Sequence, residues 1–185
     1  MTVSNQDEVI TDARSDVQAF AMIYDFYFHR VYNYVRYRVR NADTTNELAS
    51  RIFERVLTKM WSYKTERGSF SSWLFTIAHN IVMDYFREQK RCPSCSLEEM
   101  PERVVGHASI EDSLIRKETR IELLQALGQL SDREQNIVAL KFWSGLTNRQ
   151  IAELTGLSES HVGVLLYRAM KRLRNILVGE GGEEK

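Results

Sequence analysis

Two stretches of the chain hold residues whose types and spacing could do chemistry on a nucleic acid. The first, Phe70 to Arg91, reads FSSWLFTIAHNIVMDYFREQKR and mixes aromatic side chains with a cationic end. Aromatic faces hold unstacked bases while cations compensate the phosphates between them, so this mixture suits single-stranded DNA. Extracting a base from a duplex costs a few kcal/mol and calls for a pocket and a stacking partner. The polar candidates for such contacts are Asn80, Asp84, Arg87, Lys90 and Arg91, joined by Lys64, Arg67 and Ser69 on the preceding loop. Trp73, Leu74, Phe75, Ile77 and Tyr85 recur at helical spacing and are expected mostly in the core.

The second stretch runs from Leu146 to Asn175. Thr147 with Gln150 has the spacing of a capping box and opens a short helix through Ile151, Ala152 and Leu154, which Gly156 breaks. Ser158 then caps a longer helix marked by Val162, Leu165/Leu166, Ala169, Leu173 and Ile176. A short helix, a glycine-centred turn and a longer helix make a helix-turn-helix, whose second helix enters the DNA major groove N-terminus first. Ser158, Glu159, Ser160 and His161 occupy that end, where Glu can accept from a cytosine amino group and Ser and His can donate or accept. Arg168, Lys171, Arg172 and Arg174 lie farther along and supply charge against phosphate.

Other chemistries find little footing. No phosphate-cradling glycine loop, His-Glu-x-x-His helix or nucleophile elbow occurs, and His29, His79, His107 and His161 are scattered, so no enzyme is expected. Cys92 and Cys95 form a single CxxC. It could be an incidental pair in a linker, a redox couple, or half a zinc site completed by His79 or His107; without a second pair the motif assigns no metal, and no cofactor is expected.

The elements that must position these residues are helical throughout, since no segment alternates with period two. Val17, Phe20, Tyr24, Tyr27/Phe28, Val31, Tyr34/Val35 and Val39 mark one long helix. Thr44 and Glu47 have capping-box spacing ahead of a second, with Leu48, Ile52, Val56 and Met60 as its buried stripe. A polar loop, Ser62 to Ser69, turns at Gly68, and a third helix starts at Ser71 or Ser72 and ends at the basic residues before Cys92. Both prolines, Pro93 and Pro101, fall in the aperiodic stretch 92–110, which reads as a linker. A helix around Glu111 to Leu127 and another capped by Ser131 and Glu134 precede the helix-turn-helix.

The expected architecture is therefore all-α: two small helical domains, 16–91 and 111–178, joined by a flexible linker at 92–110 and followed by a disordered tail at 179–185. The formal net charge is zero, with 43% hydrophobic and 27% charged residues over 185 positions. That balance fits a soluble globular protein and argues against an indiscriminate nucleic-acid binder, which usually carries a basic excess. No apolar run reaches the ~18 residues of a membrane span, and the acidic start lacks a secretory signal, so the expected location is cytoplasmic with no membrane insertion.

LSDREQNIVALKFWSGLTNRQIAELTGLSESHVGVLLYRAMKRLR resembles the promoter-binding C-terminal domain of extracytoplasmic-function (ECF) sigma factors of the sigma-70 family, which reads the minus-thirty-five element. Where that family commonly has Thr and then Lys-Ser-Arg on the recognition helix, this chain has His161 and Gly163-Val164-Leu165. The family's minus-ten pattern of Trp-Leu, Ile-Ala-x-Asn, Asp and a basic run is met by Trp73-Leu74, Ile77-Ala78-His79-Asn80, Asp84 and Arg87 to Arg91.

The resemblance implies a sigma factor that binds core RNA polymerase and promoter DNA. Its minus-ten contacts would be Lys64, Arg67, Ser69, Asn80, Asp84, Arg87, Lys90 and Arg91; its minus-thirty-five contacts would be Ser158, Glu159, Ser160, His161, Arg168, Lys171 and Arg172. It also implies that TTNELASRIFERVLTKMW docks on the polymerase through Glu47, Arg51, Glu54 and Arg55, although Ser50 and Arg51 replace acidic and Gln residues usual there. The absence of an N-terminal inhibitory domain, taken with the resemblance, implies control by a separate anti-sigma protein. The competing expectation is a helix-turn-helix regulator that is not a polymerase subunit, which would not need the Phe70–Arg91 helix.

Overall fold

The structure, a computed structural model, describes residues 10, 13, 16–91 and 122–179. The expected linker with Cys92 and Cys95, His107, the first part of the helix expected from Glu111 and the tail beyond Gly179 lie outside the described residues. The chain divides into two compact units, one drawn from the first 99 residues with Trp143–Leu146 counted in it, the other from the remainder. Among the described residues every regular element is helical, as the lack of period-two alternation predicts. None of these helices is long and apolar enough to cross a membrane.

In the first unit, the Asp16 carboxylate accepts from the Gln18 and Ala19 amides and opens α1, Val17–Val39. Arg40, with φ of 57°, ends it by donating its backbone N–H to Arg36. Asn41 follows at once and caps α2, Ala42–Lys59, its side-chain oxygen 2.9 Å from the Thr44 amide. The expected Thr44–Glu47 capping box is thus displaced by a stronger cap three residues earlier, Asn ranking above Thr at this position. Thr45 is buried and turns its hydroxyl back to the Asn41 carbonyl at 2.6 Å. Two 3-10 turns, Met60–Ser62 and Thr65–Arg67, form the polar loop, and Gly68 closes it at φ 133°, a conformation side chains rarely adopt.

Ser69 caps α3, Phe70–Arg91, accepting from the Ser72 amide at 3.3 Å, so the helix starts slightly earlier than its apolar spacing predicts. Leu48, Ile52 and Val56 form the buried stripe of α2 as expected, and Met60 continues it into the first 3-10 turn. They meet Tyr27, Val31, Tyr34 and Val35 of α1 and Leu74, Phe75, Ala78 and Val82 of α3 in one core; full burial of each Leu, Ile, Val, Phe or Met side chain contributes about 1.5–3 kcal/mol. Val17 and Tyr24, expected on the buried stripe of α1, are exposed: the inward face runs through Ala19, Ile23 and Tyr27, and Tyr24 lies instead against Phe53 of α2, with centroids 4.6 Å apart.

The first described element of the second unit is helix α4, 122–128. Ser131 and Glu134 then form the predicted capping box at the start of α5, Asp132–Ala139. This helix runs without a break into a π-helical turn, Leu140–Ser144, which the sequence reading did not foresee. Thr147 and Gln150 close a second capping box on α6, Asn148–Thr155, which Gly156 ends in the left-handed region at φ 71°. Ser158 accepts from the His161 amide at 3.2 Å and starts α7, Glu159–Gly179. Ile137, Ile151, Val162, Ala169 and Leu173 bury the seam between α5, α6 and α7.

Candidate nucleic-acid interfaces

The loop between α2 and α3 and the first turns of α3 enclose a cavity of about 360 Å³ lined by Ser62, Tyr63, Lys64, Arg67, Gly68, Ser69, Ser72, Trp73 and Thr76. Its aromatic wall is held rigid. Tyr63 is buried edge-on to Phe70 with centroids 5.3 Å apart, Trp73 leans on both rings, and the Tyr63 hydroxyl donates to the Gly68 carbonyl at 3.2 Å. A hydrogen bond from a buried ring to the turn carbonyl fixes the loop that carries Lys64 and Arg67. An aromatic wall, the hydroxyls of Ser62, Ser69, Ser72 and Thr76 and two cations around a space this size match what an extruded base requires.

Of the eight minus-ten candidates, the cavity brings together Lys64, Arg67 and Ser69. Asn80, Asp84, Arg87, Lys90 and Arg91 are exposed but do not line it. Thr76, Asn80, Asp84, Arg87 and Arg91 nonetheless recur three or four residues apart, so they form one exposed ridge leading away from the cavity along α3. On that ridge Arg87 donates to Asp84 at 2.7 Å. Trp73, expected mostly in the core, is only half-buried and stands at the cavity edge, whereas Leu74 and Phe75 are buried as expected. Tyr63, Ser72 and Thr76 were not singled out from the sequence. Tyr63 follows a helix end and precedes a cationic loop, which was the available signal.

His79, considered as a zinc ligand beside the cysteine pair, is buried, with Nδ1 3.2 Å from the Tyr34 hydroxyl. Burial pushes that hydroxyl far above the ordinary phenol range, against the opposing pull of Arg38. No group of three or more His, Cys, Asp or Glu able to hold a metal occurs among the described residues.

In the second unit Ser158, Glu159, Ser160 and His161 are all exposed at the start of α7, where backbone N–H groups face outward. Arg168, Lys171 and Arg172 are exposed as well, two to four turns along. Arg172 is also engaged within the unit, 3.5 Å from Glu134. Burial works to raise the Glu134 pKa, but hydrogen bonds from the Ser131 backbone and hydroxyl and the charges of Arg172 and Arg168 hold it below the ordinary glutamate value.

The proposed polymerase contacts Glu47, Arg51, Glu54 and Arg55 share the exposed face of α2, opposite Leu48, Ile52 and Val56. Glu47 and Arg51 pair loosely across one turn at 3.8 Å.

Two helical units, one with an aromatic and cationic cavity and one with a helix-turn-helix, define a two-part DNA-binding protein. The family model for Sigma-70 region 2 matches residues 23–92, and that for Sigma-70, region 4 matches 120–173. BldN of Streptomyces coelicolor, an ECF RNA polymerase sigma factor, is 32% identical over 162 residues, spanning 88% of this chain and 61% of BldN. SigX of Bacillus subtilis, also an ECF RNA polymerase sigma factor, is 27% identical over 85% of this chain and 82% of its own length. The sigma factor RpoE of Bartonella quintana, solved with the anti-sigma factor NepR, superimposes with a TM-score of 0.69 at 18% identity, covering 87% of this chain and 98% of that one. The chain belongs to the sigma-70 family, as a sigma factor of the ECF type rather than a free-standing helix-turn-helix regulator.

Proposed function

We propose that this chain binds core RNA polymerase and directs it to a set of promoters, the first unit capturing the opened minus-ten element and the second anchoring the minus-thirty-five element. The cavity between Tyr63, Arg67 and Trp73 carries this reading, because an aromatic wall flanked by cations serves a single unstacked base and has no use in duplex recognition. Lys64, Arg67 and Ser69 hold the captured nucleotide, and the ridge from Asn80 to Arg91 tracks the strand beyond it. Glu47, Arg51, Glu54 and Arg55 form the polymerase-docking face. Ser158, Glu159, Ser160 and His161 meet base edges, while Arg168, Lys171 and Arg172 neutralise phosphate.

The protein acts by binding, without catalysis of its own, and it works in the cytoplasm. RpoE was solved with an anti-sigma factor; a protein of that kind, masking one or both DNA-binding faces, would hold this chain inactive. Reconstitution with core polymerase on a promoter library tests the central reading. Specific initiation from a recurring pair of elements is expected, and failure both to co-elute with core polymerase and to initiate from any promoter would refute it.

A further inference from the structure

Midway along its exposed face α7 carries Val164 and Tyr167, where a DNA-reading helix often carries cations. Val162, Ala169 and Leu173 are its buried line. By helical spacing the opposite line runs through Ser160, Val164, Tyr167 and Lys171. On that line Val164 is 45% exposed and Tyr167 70% exposed. Beside them Gly163 presents no side chain, and a Cβ built there would meet nothing within 4 Å. The centre of the face is thus a shallow apolar strip with a notch at Gly163. A hydroxyl stands at its N-terminal end and Lys171 at the other, flanked by the exposed Arg168 and Arg174.

A strip of this kind has one apolar target in a major groove. The C5-methyl of thymine is the groove's only hydrocarbon feature, and side-chain methyl and aromatic groups contact it. The cations that follow the strip complement the phosphates on either side of that groove, which favours DNA over a protein as the occupant. We propose that Val164, supported by Tyr167, selects the upstream promoter element by packing on a thymine methyl, and that Gly163 lets the helix approach closely enough for that contact. This rests on the minus-thirty-five reading given above. It makes Val164 a specificity-determining residue where hydrogen-bonding side chains would ordinarily do the work.

The test uses the full chain assembled with core RNA polymerase. Promoters are selected from a pool randomised in the upstream element, and each thymine of the enriched element is replaced in turn by deoxyuridine, which removes the methyl and keeps the hydrogen-bonding edge. At one or two positions the replacement is expected to weaken promoter binding about three- to fivefold, the worth of one buried methyl. Val164→Ala should shrink that penalty to under about twofold, and Val164→Thr, which keeps a methyl, should retain most of it. Both positions are exposed on a helix, so these variants should fold. An enriched element whose thymines all tolerate deoxyuridine overturns the inference alone. So does a penalty that Val164→Ala leaves intact, whatever Tyr167→Ala does. If those variants instead lower retention on core polymerase with no methyl penalty, the strip serves a protein and the inference also falls. A pool that enriches no upstream sequence overturns the inference together with the reading beneath it.

Discussion

Arg172 on α7 reaches back to Glu134 on α5, Nη1 to Oε2 at 3.5 Å, and so ties the second helix of the helix-turn-helix to the capping box of the helix before it. The same carboxylate oxygen accepts from the Ser131 backbone N–H at 2.9 Å and from its hydroxyl at 2.8 Å. One glutamate therefore closes a helix start and steadies an exposed cation of α7.

Glu134→Gln keeps a capping-box acceptor, as Gln150 does on α6, and removes only the charge, so it should destabilise the protein by about 1 kcal/mol at neutral pH, the difference between a charged and a neutral hydrogen bond. The folded-state pKa of Glu134 lies below its unfolded value. Its stabilisation is therefore fully present above the unfolded glutamate value of about 4.3 and is lost as pH falls through the lower folded value. Thermal melts of wild type and variant should differ at pH 7 and converge as the pH drops through that window; a constant gap would contradict the assignment.

Replacing Lys171 with alanine should make the slope of log affinity for upstream DNA against log salt shallower by about one. Arg172→Ala should change it less, because part of that charge is already met by Glu134, and it should also lower Tm. Filter binding at several salt concentrations, paired with melts, separates the two residues.

In the first unit, Trp73→Phe keeps a ring beside Tyr63 and Phe70, whereas Trp73→Ala also removes packing. Open-complex formation should weaken by about 1–3 kcal/mol for Trp73→Ala, as for a lost base–aromatic stack, and by less for Trp73→Phe. Asn80→Ala and Arg87→Ala should impair opening while leaving core polymerase binding nearly intact, since they lie on α3 and the docking residues on α2. Permanganate footprinting of the melted region reads the first effect and gel filtration with core polymerase the second.

Charge reversal on the α2 face, Glu54→Lys or Arg55→Glu, should reduce core polymerase affinity while shifting stability by no more than about 0.5 kcal/mol, as surface substitutions do. A large fall in Tm would mark these residues as structural instead.

Gly163→Ala should stabilise the second unit by about 1 kcal/mol, because the glycine sits inside a helix with open space around it. For a domain of this size that corresponds to a Tm rise of about 4–8 °C, measurable by calorimetry.

Much of this was legible in the sequence because local signals are written in short spacings. Ser131 with Glu134, Thr147 with Gln150, and Gly156 each announce a helix boundary through a hydrogen bond or a backbone angle that depends on only a few neighbouring residues. The start of α2 was misplaced because Asn41 and Thr44 both have capping chemistry, and only the fold shows that Arg40 turns sharply and leaves Asn41 in position. The cavity was half seen. Its cations were visible as loop charge, but Trp73 and Tyr63 look like core residues in any periodic reading, and their place at an edge depends on how α3 meets the loop. The Glu134–Arg172 contact spans 38 positions, and no local pattern could have announced it.

The π-helical turn at Leu140–Ser144 holds one residue more than an α-helical path through the same space would need. Its two ends, Leu140 and Ser144, are buried, while Phe142 between them is exposed. A one-residue deletion in an ordinary helix rotates every later side chain by about 100° and scrambles which face is buried. At this turn the surplus residue can be surrendered instead, the widened coil tightening to an α-helix while Leu146 and the helix-turn-helix keep their phase. Length variation that would disrupt a plain α-helix is thus tolerable at Phe142.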